Sequence, residues 1–178
     1  MRTLAVPPRK RHHLHKEAAD WVFHSFHTWR GDRKDLVILE LGSLNINGGV
    51  RDFIQPYGRS YIGVDQEAGP GVDVVADAAT YLEHNRYDVV VTTETLEHCP
   101  NWRDIIGCSY MNLKEGGIFI ATMAGEGRFA HSAIDEAPIR DWEYYANVGA
   151  WELNRALKGF AKHEVNTLGT DLRCWAVR

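Results

Sequence analysis

The chain is poor in cysteine and has no long hydrophobic run. Its three cysteines, Cys99, Cys108 and Cys174, form no C-x-x-C pair. That argues against a disulfide framework or a thiolate zinc site, and it fits a reducing cytoplasm. No apolar run approaches the ~20 residues that span a bilayer, so no membrane span is expected. Met1 to Arg11 carries basic residues but no apolar segment follows, so the stretch does not read as a secretory signal. Internal repeats and low-complexity segments are missing too. Charge of one sign is scarce only locally: before Glu17 there is no acid, while Arg2, Arg9, Lys10, Arg11 and Lys16 stand beside His12, His13 and His15.

What is present describes one globular domain. A chain of 178 residues holds a full hydrophobic core with almost no room for a separate recognition domain. The net charge of −4 is unevenly spread, with eight Lys/Arg against four Asp/Glu in residues 1–35 (+4), which leaves −8 for the rest. Residues 1–13 form a basic arm that either touches phosphates or is simply solvated.

Apolar spacing predicts an N-terminal helix over 14–30, with Trp21, Phe26 and Trp29 on one stripe. Short apolar runs then alternate with helical stretches. Leu36–Leu41 reads as a buried strand, residues 48–56 as a short helix, and Ser60–Asp65 and Asp73–Ala76 as strands. Residues 78–84 read as a helical turn or two, Tyr87–Thr92 as a strand, 101–113 as a helix and Ile118–Thr122 as a fifth strand. Residues 150–160 read as the last helix, and 163–168 with 172–177 as a closing hairpin. The alternation implies an α/β protein with a mainly parallel sheet, helices on both faces and an antiparallel strand from the hairpin at one edge. Ligands of such sheets bind beyond the carboxyl ends of the strands, so the loops after residues 41, 65, 77, 92 and 122 are the place to look.

Those loops carry the chemistry. Gly42 follows the first strand directly, where a missing side chain allows a sharp turn and a close approach to ligand. Asp65 ends the second strand at the distance where an acid meets ribose hydroxyls. Asp77 is a further acid at the same edge. Taken in order, Val37-Ile-Leu-Glu-Leu-Gly-Ser43, Tyr61-Ile-Gly-Val-Asp65, Val74-Val-Ala-Asp-Ala78, Tyr87 through His98 and Leu113-Lys-Glu-Gly-Gly-Ile-Phe119 resemble the class I S-adenosylmethionine-dependent methyltransferases over residues 35–125. The resemblance implies a single doubly wound, Rossmann-like domain of seven strands. It also implies S-adenosyl-L-methionine as cofactor, with a binding set of Glu40, Gly42, Ser43, Asp65, Gln66, Asp77, Ala78, Thr93 and Glu94. The departure is Leu44, which stands where the family's loop has its middle glycine.

Glu94, Glu97 and His98 follow the fourth strand. Were that stretch helical, their spacing would put two carboxylates and an imidazole on one face, a set suited to Mg2+ or Mn2+. Such an ion would acidify a substrate hydroxyl. His98 and His131 are the candidate proton acceptors. Residues 123–148, with Trp142-Glu-Tyr-Tyr-Ala-Asn-Val148, are expected to cover the substrate side, the aromatics serving either base stacking or ordinary packing. The resulting expectation is a cytoplasmic methyltransferase that places the methyl group on an oxygen of a small molecule, with ion assistance. A nucleic-acid acceptor held by the basic arm, or a cofactor-binding module without turnover, are the alternatives.

Overall fold

A computed structural model describes residues 16–46, 48–135 and 137–178; the basic arm of residues 1–13 lies outside them. The elements run α1 (Lys16–Arg30), β1 (Leu36–Leu41), α2 (Arg51–Ile54), β2 (Gly58–Asp65), β3 (Val74–Val75) and β4 (Tyr87–Thr93). They continue with α3 (Trp102–Asn112), β5 (Leu113–Ala124), α4 (Ala150–Ala156), β6 (Lys162–Leu168) and β7 (Asp171–Val177). The seven strands are ordered β3-β2-β1-β4-β5-β7-β6. All neighbouring pairs are parallel up to β5, and β7 runs antiparallel to both β5 and β6. The hairpin therefore inserts its second strand beside β5 and leaves β6 at the edge.

Strand periodicity divides the core into two layers. Val37, Leu39 and Leu41 of β1, Val90 of β4 and Phe119, Ala121 and Met123 of β5 pack with Trp102, Ile105 and Ile106 of α3. On the opposite face Leu36, Ile38, Val89, Val91, Ile118 and Ile120 pack with Val22 and Phe26 of α1 and Ile54 of α2. Burying each such side chain stabilises the fold by about 1.5–3 kcal/mol, so the continuous apolar runs of β1 and β4 commit them to the middle of the sheet.

The structure shortens several expected elements. Residues 78–84 form a turn rather than a helix. The Asp77 carboxylate accepts from the Ala79 amide, and buried Asn112 of α3 both donates to Tyr81 O and accepts from the Glu83 amide. With its backbone groups paired to side chains, the segment has no need of a helical ladder. α2 is a single turn, followed by a 3-10 turn at Gln55–Tyr57 that contains Pro56. The last helix likewise ends in a 3-10 turn at Leu157–Gly159. β3 shrinks to two residues because the Asp73 carboxylate takes over strand pairing, accepting the Gly63 amide at 2.7 Å.

Candidate active site

The chain proceeds from β1 outward to β2 and β3, then returns to place β4 on the other side of β1. This reversal opens a crevice beyond the carboxyl ends of β1 and β4. A cleft of about 1370 Å³ occupies it. Glu40, Gly42, Ser43, Asp65, Gln66, Asp77, Ala78, Thr93, Glu94, His98 and His131 all reach its wall. Glu97 does not: it is wholly buried behind His98.

At one end, the loop after β1 is clamped to its neighbours. The amides of Gly42 and Ser43 both donate to Val64 O, and the Asn45 amide donates to Pro70 O at 2.8 Å. Gly42 has φ +77°, and a Cβ on it would lie 2.1 Å from Thr95 Oγ1, so the loops after β1 and β4 touch at this point. The Asp65 carboxylate accepts the Leu44 amide at 3.0 Å and the Glu67 amide at 3.1 Å. Its position is thus set before any ligand arrives, and each oxygen keeps lone-pair capacity. Leu44, in place of a glycine, packs over the loop after β2: a Cβ on Gly69 would come within 2.5 Å of Leu44 Cδ1. The loop keeps its course because the bulk of Leu44 is accommodated by a glycine elsewhere.

Glu40, 4% exposed, accepts a 2.8 Å hydrogen bond from the Tyr61 hydroxyl. Burial pushes its carboxyl up to about 7, against the opposing effect of Tyr61.

At the other end, the stretch after β4 is not an α-helix. The Glu94 amide donates to Thr122 O, Glu94 takes the left-handed conformation (φ +50°), and only a 3-10 turn follows at Leu96–His98. The common helical face expected of Glu94, Glu97 and His98 therefore does not form. Glu94 turns toward Arg128, with Oε2 3.3 Å from Nη2, and Arg128 also pairs with Asp171 of β7. Glu97 points inward, where Oε1 accepts the Ala124 amide at 3.0 Å and Oε2 is buried with no partner among the described residues. Burial, reinforced by Glu94, raises its carboxyl to about 8. His98 is driven down to about 4 by burial and then by His131, so its imidazole is neutral at pH 7.

The segment after β5 completes this end. The Ala146 amide donates to Glu97 O and the Val148 amide to Ala124 O, while Ser132 Oγ donates to Glu143 Oε1 at 2.6 Å. So anchored, the loop lays His131 and Tyr145 against His98, with the three rings mutually edge-on at centroid distances of 5.0–5.3 Å. Glu97, His98 and His131 then each offer a donor atom, all within 4.8 Å of one another. Trp142, 71% exposed, stands at the rim with Ile134 and Tyr144. Sequence reasoning did not single out Tyr145 or Arg128. Tyr145 was visible only as one of an aromatic run, and the partners of Arg128 lie 34 and 43 residues away along the chain.

Three comparisons bear on this geometry. A family model described as a methyltransferase domain matches residues 11–162. No curated protein sequence matches the chain. Among solved structures, a 1,6-didemethyltoxoflavin-N1-methyltransferase from Burkholderia thailandensis, with its toxoflavin precursor and S-adenosylhomocysteine bound, aligns with a TM-score of 0.67. It shares 14% identity over 90% of this chain and 78% of its own. An S-adenosylmethionine-dependent methyltransferase from Mesorhizobium loti gives 0.63 at 18% identity, covering 90% of this chain and 98% of its own. A phosphoethanolamine N-methyltransferase from Haemonchus contortus gives 0.58 at 23% identity, over 79% of this chain and 37% of its own. At these identities the structural likeness speaks for the fold. The family match, spanning most of the chain, completes the assignment: the chain belongs to the methyltransferase domain family and is a class I S-adenosylmethionine-dependent methyltransferase.

Proposed function

We propose that the chain transfers the methyl group to an oxygen of a small-molecule acceptor, with the cofactor at the Gly42–Asp65–Asp77 end of the cleft and the acceptor at the His98–His131 end. The observation that carries this reading is the division of one cleft into an acidic, backbone-clamped end and a histidine-rich end. The residues present fit the cofactor. Asp65 is fixed with acceptor capacity to spare for two ribose hydroxyls, Gly42 presents bare backbone, and Glu94 offers negative charge to a cationic methyl donor. S-adenosylmethionine supplies an already activated methyl on sulfur; the acceptor oxygen forms the new C–O bond as the C–S bond breaks and its electron pair stays on sulfur.

The task left to the protein is alignment, exclusion of water and removal of one proton. With no ion in the corner, His131 is the group to take that proton, since its Nδ1 is engaged with Phe129 O at 3.1 Å and Nε2 keeps its lone pair. Tyr144 and the rim residue Trp142 give the acceptor an aromatic wall. Assistance by a divalent ion is the finer part of the reading, and here the structure changes the terms: one carboxylate, Glu97, shares the corner with the imidazoles.

A small acceptor suits the electrostatics better than a nucleic acid. The described lining has seven acids (Glu40, Asp52, Asp65, Glu67, Asp77, Glu94 and Glu143) against one cation, Arg51, which is paired with Asp73. A polyphosphate would be repelled there. The two neighbours with named acceptors act on small molecules, in both cases at nitrogen. The test is S-adenosylhomocysteine release, followed by mass spectrometry, with acceptors matched in shape but bearing a hydroxyl or an amine. Methyl transfer to the hydroxyl series is expected. Transfer confined to amines would overturn the oxygen assignment, and transfer confined to RNA or DNA would overturn the small-molecule one.

A further inference from the structure

We infer that Glu97, His98 and His131 form a binding site for one transition-metal ion of the zinc type at the acceptor end of the cleft. The set differs in kind from two carboxylates and one imidazole: it has two imidazoles and a single carboxylate, which suits Zn2+, Co2+ or Fe2+ over Mg2+.

Three observations support the site. First, its donor atoms are close together, all within 4.8 Å of one another. Donors about 2.1 Å from a shared ion lie some 3–4 Å apart, so modest side-chain rotations close the site. Second, two of the three donors are buried and unsatisfied. Glu97 is 0% exposed, and both its Oε2 and His98 Nδ1 have no hydrogen-bond partner among the described residues. A buried polar atom left without a partner is costly, and two in one corner mark a place built for something else. Third, the imidazoles are already oriented as ligands are. His131 holds Phe129 O with Nδ1, which leaves its Nε2 free, and His98 keeps Nδ1 without a partner among the described residues. Metal-ligating histidines characteristically fix their second nitrogen on a carbonyl or carboxylate in this way. Glu97 is oriented likewise, through the Ala124 amide on Oε1.

Three protein ligands leave a coordination position open, and His98 and His131 both face the cleft. An ion there would hold the acceptor oxygen and stabilise its negative charge, with the proton passing to solvent instead of to His131. Arg128 keeps Glu94 out of the set, so that it borders the cleft without closing the open position.

The placement beside a methyl donor rests on the function proposed above, but ion binding does not, and the two fail separately. The experiment is calorimetric titration of the chelator-treated 178-residue chain with Zn2+, repeated with Co2+ for its visible spectrum. His12, His13 and His15 are replaced by Ala throughout, so that the arm cannot supply the signal. One ion per chain is expected, with a Co2+ spectrum of mixed nitrogen and oxygen ligation. Glu97→Gln, which keeps the side-chain volume and an acceptor for the Ala124 amide, and His131→Ala should each weaken binding at least tenfold. Glu94→Gln, which removes a neighbouring charge and no ligand, should change it far less than Glu97→Gln does. Thermal unfolding of each variant separates lost binding from lost fold, and His131, half-buried on the loop after β5, lies outside both core layers, so that variant stays folded. No saturable binding, binding indifferent to Glu97→Gln and His131→Ala, or Mg2+ bound more tightly than Zn2+ would overturn the site. A protein that binds the ion yet methylates none of the hydroxyl acceptors would overturn the function and leave the site standing.

Discussion

Removing the carboxylate of Asp65 tests the cofactor assignment most directly. In the folded chain this group already accepts two backbone amides, from Leu44 and Glu67. With cofactor bound it would accept two ribose hydroxyls as well. Hydrogen bonds to a charged group contribute about 1.5–3 kcal/mol each, so losing both hydroxyl contacts at this half-exposed position amounts to about 3 kcal/mol at the low end. At 1.4 kcal/mol per tenfold, Asp65→Ala should weaken S-adenosylhomocysteine binding by about 150-fold. Asp65→Asn keeps one acceptor oxygen and should lose roughly tenfold. The backbone contacts give a second readout. Freeing the Leu44 and Glu67 amides near the surface costs about 1 kcal/mol, or roughly 2–4 °C in Tm for a chain of this size, so the fold survives. Calorimetry with S-adenosylhomocysteine and thermal unfolding on the same samples check both numbers. Unchanged affinity in Asp65→Ala would refute the ribose assignment. An affinity loss in proportion to a collapse of Tm would show that Asp65 is merely structural.

The Glu40 carboxyl sits at about 7 in the folded chain against 4.5 unfolded, so the folded state holds its proton more tightly. Its ionised form therefore destabilises the fold progressively as pH rises from 4.5 through 7, by about 3 kcal/mol above that window. Glu40→Gln should gain in stability relative to the parent between pH 5 and pH 8 in urea unfolding; a pH-independent difference would show that Glu40 does not titrate in this window. Gly42→Ala places a methyl group on Thr95 in a left-handed conformation. The conformation alone costs about 1–2 kcal/mol, so a Tm loss of several degrees and weaker S-adenosylhomocysteine binding are expected. Arg128→Ala removes the cation shared by the mostly buried carboxylates of Glu94 and Asp171; partial exposure brings the expected loss to about 2 kcal/mol, below that of a fully buried pair. Trp142→Ala, at an exposed rim position, should leave stability within ~0.5 kcal/mol while raising the KM for the acceptor.

Local chemistry made much of this protein legible in its sequence. The apolar runs Leu36–Leu39 of β1 and Val89–Val91 of β4 commit these strands to a sheet covered on both faces, and Gly42, Asp65 and Asp77 mark the ends of successive strands whatever the detailed packing. The order of those motifs carried the family as well. What the sequence could not decide were arrangements fixed by partners distant along the chain. Residues 78–84 have helical character, yet Asn112, about 30 residues on, satisfies their backbone and holds them in a turn. Leu44 reads as a break in the glycine loop until Gly69 is seen beneath it. The spacing of Glu94, Glu97 and His98 is that of a helical face, but Arg128 and Asp171 draw Glu94 aside, Ala124 turns Glu97 inward, and the loop after β5 brings His131 to the corner. Periodicity reports which side chains an isolated element would align, whereas a site is made where separate elements meet. The strands and the loops at their carboxyl ends thus followed from sequence, and the composition of the histidine corner was decided by tertiary structure.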